Sequence, residues 1–117
     1  MAPKLEKNPV KLALIEKLES KYKEERARIW LALARMLERE REVNISKIAK
    51  LCGEGEACAV PGKVLGKGDI DFSVSVAAFG FSQRAREKIV NGGGECLSLD
   101  ELIEKNPRGS GVRILGG

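Results

Sequence analysis

The chain has 117 residues, of which 21 are Lys or Arg and 17 are Asp or Glu, so its formal net charge is +4. Hydrophobic residues make up 43% of the chain, which is too many for a disordered segment, and the length suits one domain over residues 1–117. The basic excess favours a nucleic-acid or other anionic partner, whereas 4% aromatic residues argue against a platform that stacks single-stranded bases.

The cysteines and the N-terminus point to a reducing compartment. Three cysteines, Cys52, Cys58 and Cys96, stand at irregular spacing and do not form the framework of a secreted disulfide-rich protein. The charged N-terminus lacks the pattern of a signal peptide, and no apolar run reaches the length of a membrane span. We therefore expect a cytoplasmic protein without a membrane partner.

The first part of the chain is predicted to be helical. Asn8-Pro9 is suited to open a first helix, because asparagine caps and proline is tolerated as the first helical residue. Apolar spacing predicts a second helix over residues 24–40, with Trp30 on its inner stripe as a core anchor between the two helices. A third helix is predicted over residues 43–51, with Asn44 as its cap.

Strands are predicted in the second part of the chain, over residues 57–60, 69–78, 96–97 and 112–115. The first of them is predicted to end at Pro61-Gly62, since proline cannot donate to a strand ladder. The second is predicted from alternating apolar and polar residues, which is typical of a half-buried strand.

Two short helices are predicted among these strands. Ser82 is suited to cap a helix over residues 83–90, and Ser98 with Glu101 matches a capping box before the next helix. The predicted fold class is therefore α+β, with a helical part over residues 8–52 and a mixed strand and helix part over residues 57–115.

A segment rich in glycine and lysine occupies the middle of the chain, Val60-Pro61-Gly62-Lys63-Val64-Leu65-Gly66-Lys67-Gly68. It is not a P-loop, because three residues rather than four separate its first two glycines, and Gly68 stands where the metal-binding hydroxyl belongs. The dinucleotide fingerprint also fails, because Asp71 replaces its third glycine and would repel a pyrophosphate. The segment predicts a glycine-opened loop that contacts phosphate without an ATP or NAD cofactor.

The remaining polar residues do not support catalysis or metal binding. The chain has no histidine, so a cysteine nucleophile lacks its usual base and a zinc site lacks a common ligand. The carboxylate pairs at residues 54 and 56 and at 69 and 71 fit an exposed surface. We expect no cofactor, no small-molecule substrate, no catalytic activity and buried structural thiols.

Phosphate contact without turnover is the interpretation that remains, and it fits recognition of a folded RNA by its shape and backbone. The main candidates for phosphate contacts are Lys63, Lys67, Arg84, Arg108 and Arg113. The glycines expected to let the RNA backbone approach are Gly62, Gly66 and Gly68. Secondary candidates are Arg26, Arg28 and Arg35.

Two other classes of function stay open at this point. One is a protein-interaction module that docks a partner on the exposed faces of the first two helices. The other is a small enzyme that holds a phosphorylated ligand in the glycine-rich segment.

The order of several short motifs resembles a ribosomal protein family. The motifs are Asn8-Pro9, Trp30, Val43-Asn44-Ile45, the segment over residues 60–68, Val76-Ala77-Ala78-Phe79, Gly92-Gly93-Gly94, Asn106-Pro107-Arg108-Gly109 and Val112-Arg113-Ile114. From about residue 8 to residue 115 they are similar to the archaeal and eukaryotic large-subunit ribosomal protein eighteen-e, a family related to bacterial large-subunit protein fifteen.

This resemblance implies a structural, non-catalytic constituent of the large ribosomal subunit. It implies binding to large-subunit rRNA and to neighbouring ribosomal proteins. It also implies a fold of N-terminal helices followed by an irregular strand-and-helix core of the protein fifteen and eighteen-e type.

Overall fold

The computed structural model describes residues 9–39 and 41–116. Helices and strands mix along this part of the chain, which confirms the predicted α+β class. The helices are α1 Pro9–Glu25, α2 Arg28–Leu37, α3 Ile45–Leu51, α4 Gln83–Asn91 and α5 Leu99–Lys105. The strands are β1 Val43–Asn44, β2 Ala57–Leu65, β3 Ser75–Phe81, β4 Glu95–Ser98 and β5 Val112–Ile114.

The strands form one sheet in which every described pairing is parallel. β2 pairs with β3 on one side, and β4 continues the sheet beyond β3. On its other side β2 pairs with β5 near its start, where Ala57 lies opposite Val112, and with β1 near its end, where Val64 lies opposite Val43. Because parallel strands point the same way, their ends meet at one edge of the sheet, which we call the carboxyl edge; the opposite edge is the amino edge.

Helices cover both faces of the sheet, and each face has its own apolar core. Cys58 and Val76 point into the cluster that is packed with α3 and α4. Ala59 and Ala77, one residue further along the same strands, point into the cluster that is packed with α1, α2 and α5. Trp30 is completely buried in this second cluster, which confirms its predicted role as a core anchor. Alternate residues of a strand thus serve opposite faces, as the pleat requires.

Both predicted serine caps are confirmed. The Ser82 hydroxyl accepts a hydrogen bond from the Ala85 amide at 3.1 Å, and the Ser98 hydroxyl accepts one from the Glu101 amide at 3.1 Å. Glu101 completes the capping box, since its carboxylate accepts a hydrogen bond of 2.8 Å from the Ser98 amide. The predicted cap at Asn8 lies outside the described residues.

The predicted starts of the second and third helices are wrong. α1 continues to Glu25, and the chain then breaks at Arg26, whose φ of 60° lies in the left-handed region, so α2 begins at Arg28. The third helix begins two residues later than predicted because Val43–Asn44 forms β1 against β2. Asn44 occupies the cap position of α3, but its side chain makes no capping hydrogen bond.

The predicted bounds of the strand over residues 69–78 are also wrong: residues 75–78 do belong to a strand, but β3 runs over Ser75–Phe81. The apolar residues Ile70 and Phe72 pack against the core without joining the ladder. The alternation of apolar and polar residues therefore predicted correctly that Ile70 and Phe72 are partly buried. It did not predict correctly that they pair with a neighbouring strand, because a segment can bury alternate side chains without joining a sheet.

The predicted end of the first strand at Pro61-Gly62 is wrong as well. β2 continues through both residues to Leu65, so most of the predicted glycine loop is strand. The pairing with β3 shifts its register between Val60 and Lys63, which places the proline at an irregularity in the ladder. A proline is tolerated there because no regular ladder hydrogen bond needs its missing N–H group.

Candidate nucleic-acid interface

Three of the predicted phosphate-contacting residues lie at the carboxyl edge. Lys63 lies near the end of β2, opposite Gly80 of β3, and Lys67 follows β2. Arg84 lies in the first turn of α4, whose start is joined to β2 by a 2.9 Å hydrogen bond from the Ser82 amide to the Val64 carbonyl. All three basic side chains are exposed.

The glycine turn over residues 66–68 lies close to the starts of two helices, α4 and α3. A Cβ on Gly66 would lie 2.8 Å from the Arg84 Cβ, so only glycine lets the turn pass beside α4. Gly68 has a φ of +102°, which favours glycine, and a Cβ there would lie 2.6 Å from Ser46 in α3. The Ser46 amide donates to the Lys67 carbonyl at 3.0 Å, which fixes Lys67 beside the start of α3.

Lys88 holds the glycine turn from the side of α4. Its ammonium donates to the Gly66 carbonyl at 2.8 Å and to the Gly68 carbonyl, and it lies 3.5 Å from the Asp69 carboxylate. The Asp69 side chain is almost fully exposed, so the two carbonyl contacts carry most of this interaction. Lys88 is thus committed to the turn rather than to an external anion, which the sequence alone did not reveal.

Gly62 is required by contacts inside the chain. It is buried in β2, and a Cβ on it would lie 2.8 Å from the Arg41 amide nitrogen and 2.9 Å from the Arg41 carbonyl carbon. The space that a side chain at this position would need is therefore occupied by the protein's own backbone at Arg41. A role for Gly62 in RNA approach remains a prediction.

A cleft of about 770 Å³ adjoins this region. Of the described residues, four charged ones line it: Arg35, Glu38, Arg39 and Arg41. The other described lining residues are Met36, Pro61, Leu115 and Gly116. The structure thus places the predicted residue Arg35 in one cleft with Arg39 and Arg41, which were not predicted. The sequence signal for Arg39 is its spacing of four from Arg35, which places two arginines on one side of a helix.

Lys47 connects the cleft with the glycine turn. It lies in the first turn of α3, next to Ser46, and its ammonium donates to the Gly116 carbonyl at 2.6 Å. We call the exposed side chains Lys63, Lys67 and Arg84, together with the three arginines of the cleft, the basic edge surface.

A second group of predicted arginines lies at the amino edge. Arg108 belongs to the turn that precedes β5, and Arg26 and Arg28 lie at the junction of α1 and α2. The two regions meet at Trp30, whose indole N–H donates to the Pro107 carbonyl at 2.7 Å. Along β2, six residues separate Ala57 at the amino edge from Lys63, which is about 20 Å at roughly 3.3 Å per residue.

Arg113 belongs to neither group. It lies opposite Cys58 in the first half of β2, and its guanidinium is 3.9 Å from the Glu56 carboxylate. Both side chains are about half exposed, so this ion pair is weak. The structure therefore places Lys63, Lys67 and Arg84 at the carboxyl edge, with Arg35 in the adjoining cleft. It places Arg26, Arg28 and Arg108 at the amino edge and Arg113 in neither group.

The thiols behave as structural groups. Cys58 is 1% exposed, and its burial raises the pKa of the thiol far above the ordinary range. Burial also raises the pKa values of Cys52 and Cys96. Raised values oppose formation of the nucleophilic thiolate. Within the described ranges, no group of three histidine, cysteine or acidic side chains is arranged to hold a metal ion.

Within residues 9–39 and 41–116, each helix is too short or too polar to cross a bilayer.

The chain is similar in sequence to known proteins of one family. Residues 38–117 match the family model described as "Ribosomal protein 60S L18 and 50S L18e". The chain is 46% identical over 112 residues to the large ribosomal subunit protein eL18 of Methanothermobacter thermautotrophicus, covering 92% of this chain and 93% of that protein. It is 44% identical over 112 residues to the protein of the same name from Archaeoglobus fulgidus, covering 92% of this chain and 96% of that protein.

These matches extend over nearly the whole chain and agree with the resemblance seen in the short motifs. They also settle the open question of catalysis, because the family consists of structural ribosomal proteins rather than enzymes. The chain belongs to the ribosomal protein family of 60S L18 and 50S L18e.

Proposed function

We propose that this chain is a structural constituent of the large ribosomal subunit in the cytoplasm, where it binds large-subunit rRNA and neighbouring ribosomal proteins. The observation that carries the proposal is the basic edge surface, in which the exposed residues Lys63, Lys67 and Arg84 all lie at the carboxyl edge. Phosphate groups are the natural partners of such a surface, since lysine and arginine neutralise them and release their counterions.

Rigid positioning supports this role. The turn that carries Lys67 is bonded to α3 through Ser46 and to α4 through Lys88. Lysines on a fixed turn lose less conformational freedom on binding than lysines on a free loop, so more of the contact energy is retained. The arginines at the amino edge, Arg26, Arg28 and Arg108, form a second proposed contact region, about one strand length away.

The outer face of α1 is the proposed surface for neighbouring ribosomal proteins. Leu12, which is 39% exposed, lies on the side of α1 that faces away from Leu14 and Leu18, both of which are buried in the core.

A salt titration of binding to the folded large-subunit rRNA fragment tests the RNA contact. In the Lys63→Ala/Lys67→Ala variant, the slope of log affinity against log salt is expected to flatten by about 0.7 to 0.9 for each phosphate that the variant no longer neutralises. The matched control is Lys17→Ala/Lys105→Ala, which removes the same charge from α1 and α5, where these lysines pair with acidic side chains.

The control variant is expected to keep the wild-type slope. Equal slopes for all three proteins would refute a contact at the carboxyl edge. Equal flattening in both variants would also refute it, because it would mean that only total charge matters.

A further inference from the structure

The cleft that forms part of the basic edge surface has the size of a small-ligand site. Its volume of about 770 Å³ falls within the range of roughly 300 to 1,000 Å³ that is usual for small-ligand clefts. It is built by the end of α2, by the chain before β1, by Pro61 in β2 and by the chain after β5.

Among the residues that the structure describes, the lining of the cleft is unbalanced in charge. Three arginines, Arg35, Arg39 and Arg41, line it together with one acid, Glu38. None of these three guanidinium groups forms an ion pair with a residue that the structure describes. Arginine side chains that are grouped without acidic partners attract anions, and their planar forks match phosphate oxygens.

The cleft also offers apolar contact, which a site for phosphate alone does not need. Met36, Pro61 and Leu115 line it. The Met36 methyl group would lie 2.5 Å from a Cβ on Gly116, so glycine at this position lets the methionine close one side of the cleft. Apolar side chains and guanidinium planes together suit a flat heterocycle, because arginine stacks on bases as aromatic residues do.

We propose that this cleft binds one unpaired nucleotide of the RNA, with the base against Met36 and Pro61 and the phosphate beside Arg39 and Arg41. The proposal rests on the proposed function and deepens it, since it adds direct contact with a splayed base to contact with the backbone. The small number of aromatic residues, which argued against base stacking from the sequence, is compensated by arginine planes in this cleft.

The chain carries its own reporter for this test. It has two methionines, Met1 and Met36, so protein labelled with ¹³C at the methionine methyl groups has two such signals in its NMR spectrum. Loss of one signal in Met36→Leu assigns the other. Titration with AMP is expected to move the Met36 signal upfield and saturably, because the ring current of the base shields a methyl group beneath it.

Ribose 5-phosphate is the matched ligand, since it keeps the sugar and the phosphate but lacks the base. It is expected to leave the Met36 signal nearly in place. An equal shift with ribose 5-phosphate would overturn the proposal, because the cleft would then be an anion site only. No shift at about 10 mM AMP, tenfold above a weak affinity of about 1 mM, would overturn it too and would favour a protein segment as the occupant.

A variant separates the cleft from overall charge. Arg39→Gln/Arg41→Gln is expected to weaken AMP binding by roughly tenfold or more, since a hydrogen bond to a charged group contributes about 1.5 to 3 kcal/mol. Lys105→Gln, distant on α5, is expected to bind AMP like the wild type. The salt titration of Lys63 and Lys67 tests the proposed function separately, because it uses neither the cleft nor a free nucleotide.

Discussion

Replacement of Gly62 by alanine tests whether this glycine serves the fold or the RNA. The added Cβ would lie 2.8 Å from the Arg41 nitrogen and 2.9 Å from its carbonyl carbon, with the carbonyl oxygen closer still. Ordinary contacts begin at 3.4 Å, so the Arg41 nitrogen alone must move by about 0.6 Å, and the carbonyl oxygen must move further. Because these neighbours are backbone atoms next to β1, they cannot move aside by changing a rotamer.

The size of the effect follows from the cost of overpacking. Inserting a methyl group into a filled site costs about 1 to 3 kcal/mol, and displaced backbone places Gly62→Ala near the upper value. With an unfolding entropy of about 2.1 cal/mol/K per residue, 117 residues give about 0.25 kcal/mol/K. A decrease of about 3 kcal/mol in the free energy of unfolding therefore lowers the Tm by about 12 °C.

Gly80 provides the control on the neighbouring strand. It lies opposite Lys63 in β3, and a Cβ there would meet no atom within 4 Å. Gly80→Ala is expected to gain about 0.4 to 1 kcal/mol, because alanine reduces the entropy of the unfolded chain, which raises the Tm by about 2 to 4 °C. Calorimetry of the free proteins measures both shifts. Equal melting temperatures for the two variants would refute the packing argument and leave RNA approach as the reason for Gly62.

Three further predictions concern stability. Trp30→Phe removes the buried indole donor to the Pro107 carbonyl and is expected to cost about 1 to 3 kcal/mol in denaturant unfolding; an unchanged midpoint would show that this bond is not stabilising. Ser98→Ala is expected to cost about 1 kcal/mol because the capping box is removed, whereas Ser110→Ala on the exposed turn is expected to be neutral. For Cys58, the raised folded-state pKa means that the unfolded chain loses its proton first as pH rises above about 8.5. Stability conferred by the neutral thiol is complete below that pH and falls above it, by up to about 1.4 kcal/mol per pH unit. The stability difference between wild type and Cys58→Ala is therefore expected to shrink from pH 8 to pH 10, and a constant difference would contradict the assignment.

The helix caps could be predicted from the sequence because their information is local. Ser82 and Ser98 each bond an amide three residues further on, so four residues contain the whole interaction. The break at Arg26 is local as well, but a left-handed arginine has no strong sequence signal, and two charged helical patterns adjoin it.

The continuation of β2 could not be predicted because its partners are distant in the chain. Pro61 and Gly62 end an isolated strand by their own preferences. They lie inside β2 because Val64, beyond them, pairs with Val43 on one side and Phe81 on the other. Those pairings outweigh the local preference, and no window around the proline contains them.

For the candidate site, the sequence shows which residues are basic but not where the fold places them. The sequence predicted Lys63 and Arg113 as members of one phosphate-contacting face, on chemistry that both share. Only the parallel order of β2 and β5 shows that Arg113 lies beside Cys58, toward the amino edge, and pairs with Glu56. Which basic residues lie at the same edge of the sheet depends on the direction of the strands, and hydrophobic alternation does not specify that direction.

The glycines of the central segment support the proposed RNA contact by letting the turn pack closely against neighbouring residues, rather than by leaving the backbone open to the RNA. Gly66 and Gly68 let the turn lie against α4 and α3, and Lys88 then binds the carbonyls of both glycines. Carbonyl oxygens without a donor would repel a phosphate. Because Lys88 donates hydrogen bonds to both carbonyls, this repulsion is reduced beside the exposed ammonium group of Lys67. Lys88 is half-buried and holds the turn, and Lys67 is exposed on that turn. The proposed binding of an anion therefore depends on both lysines.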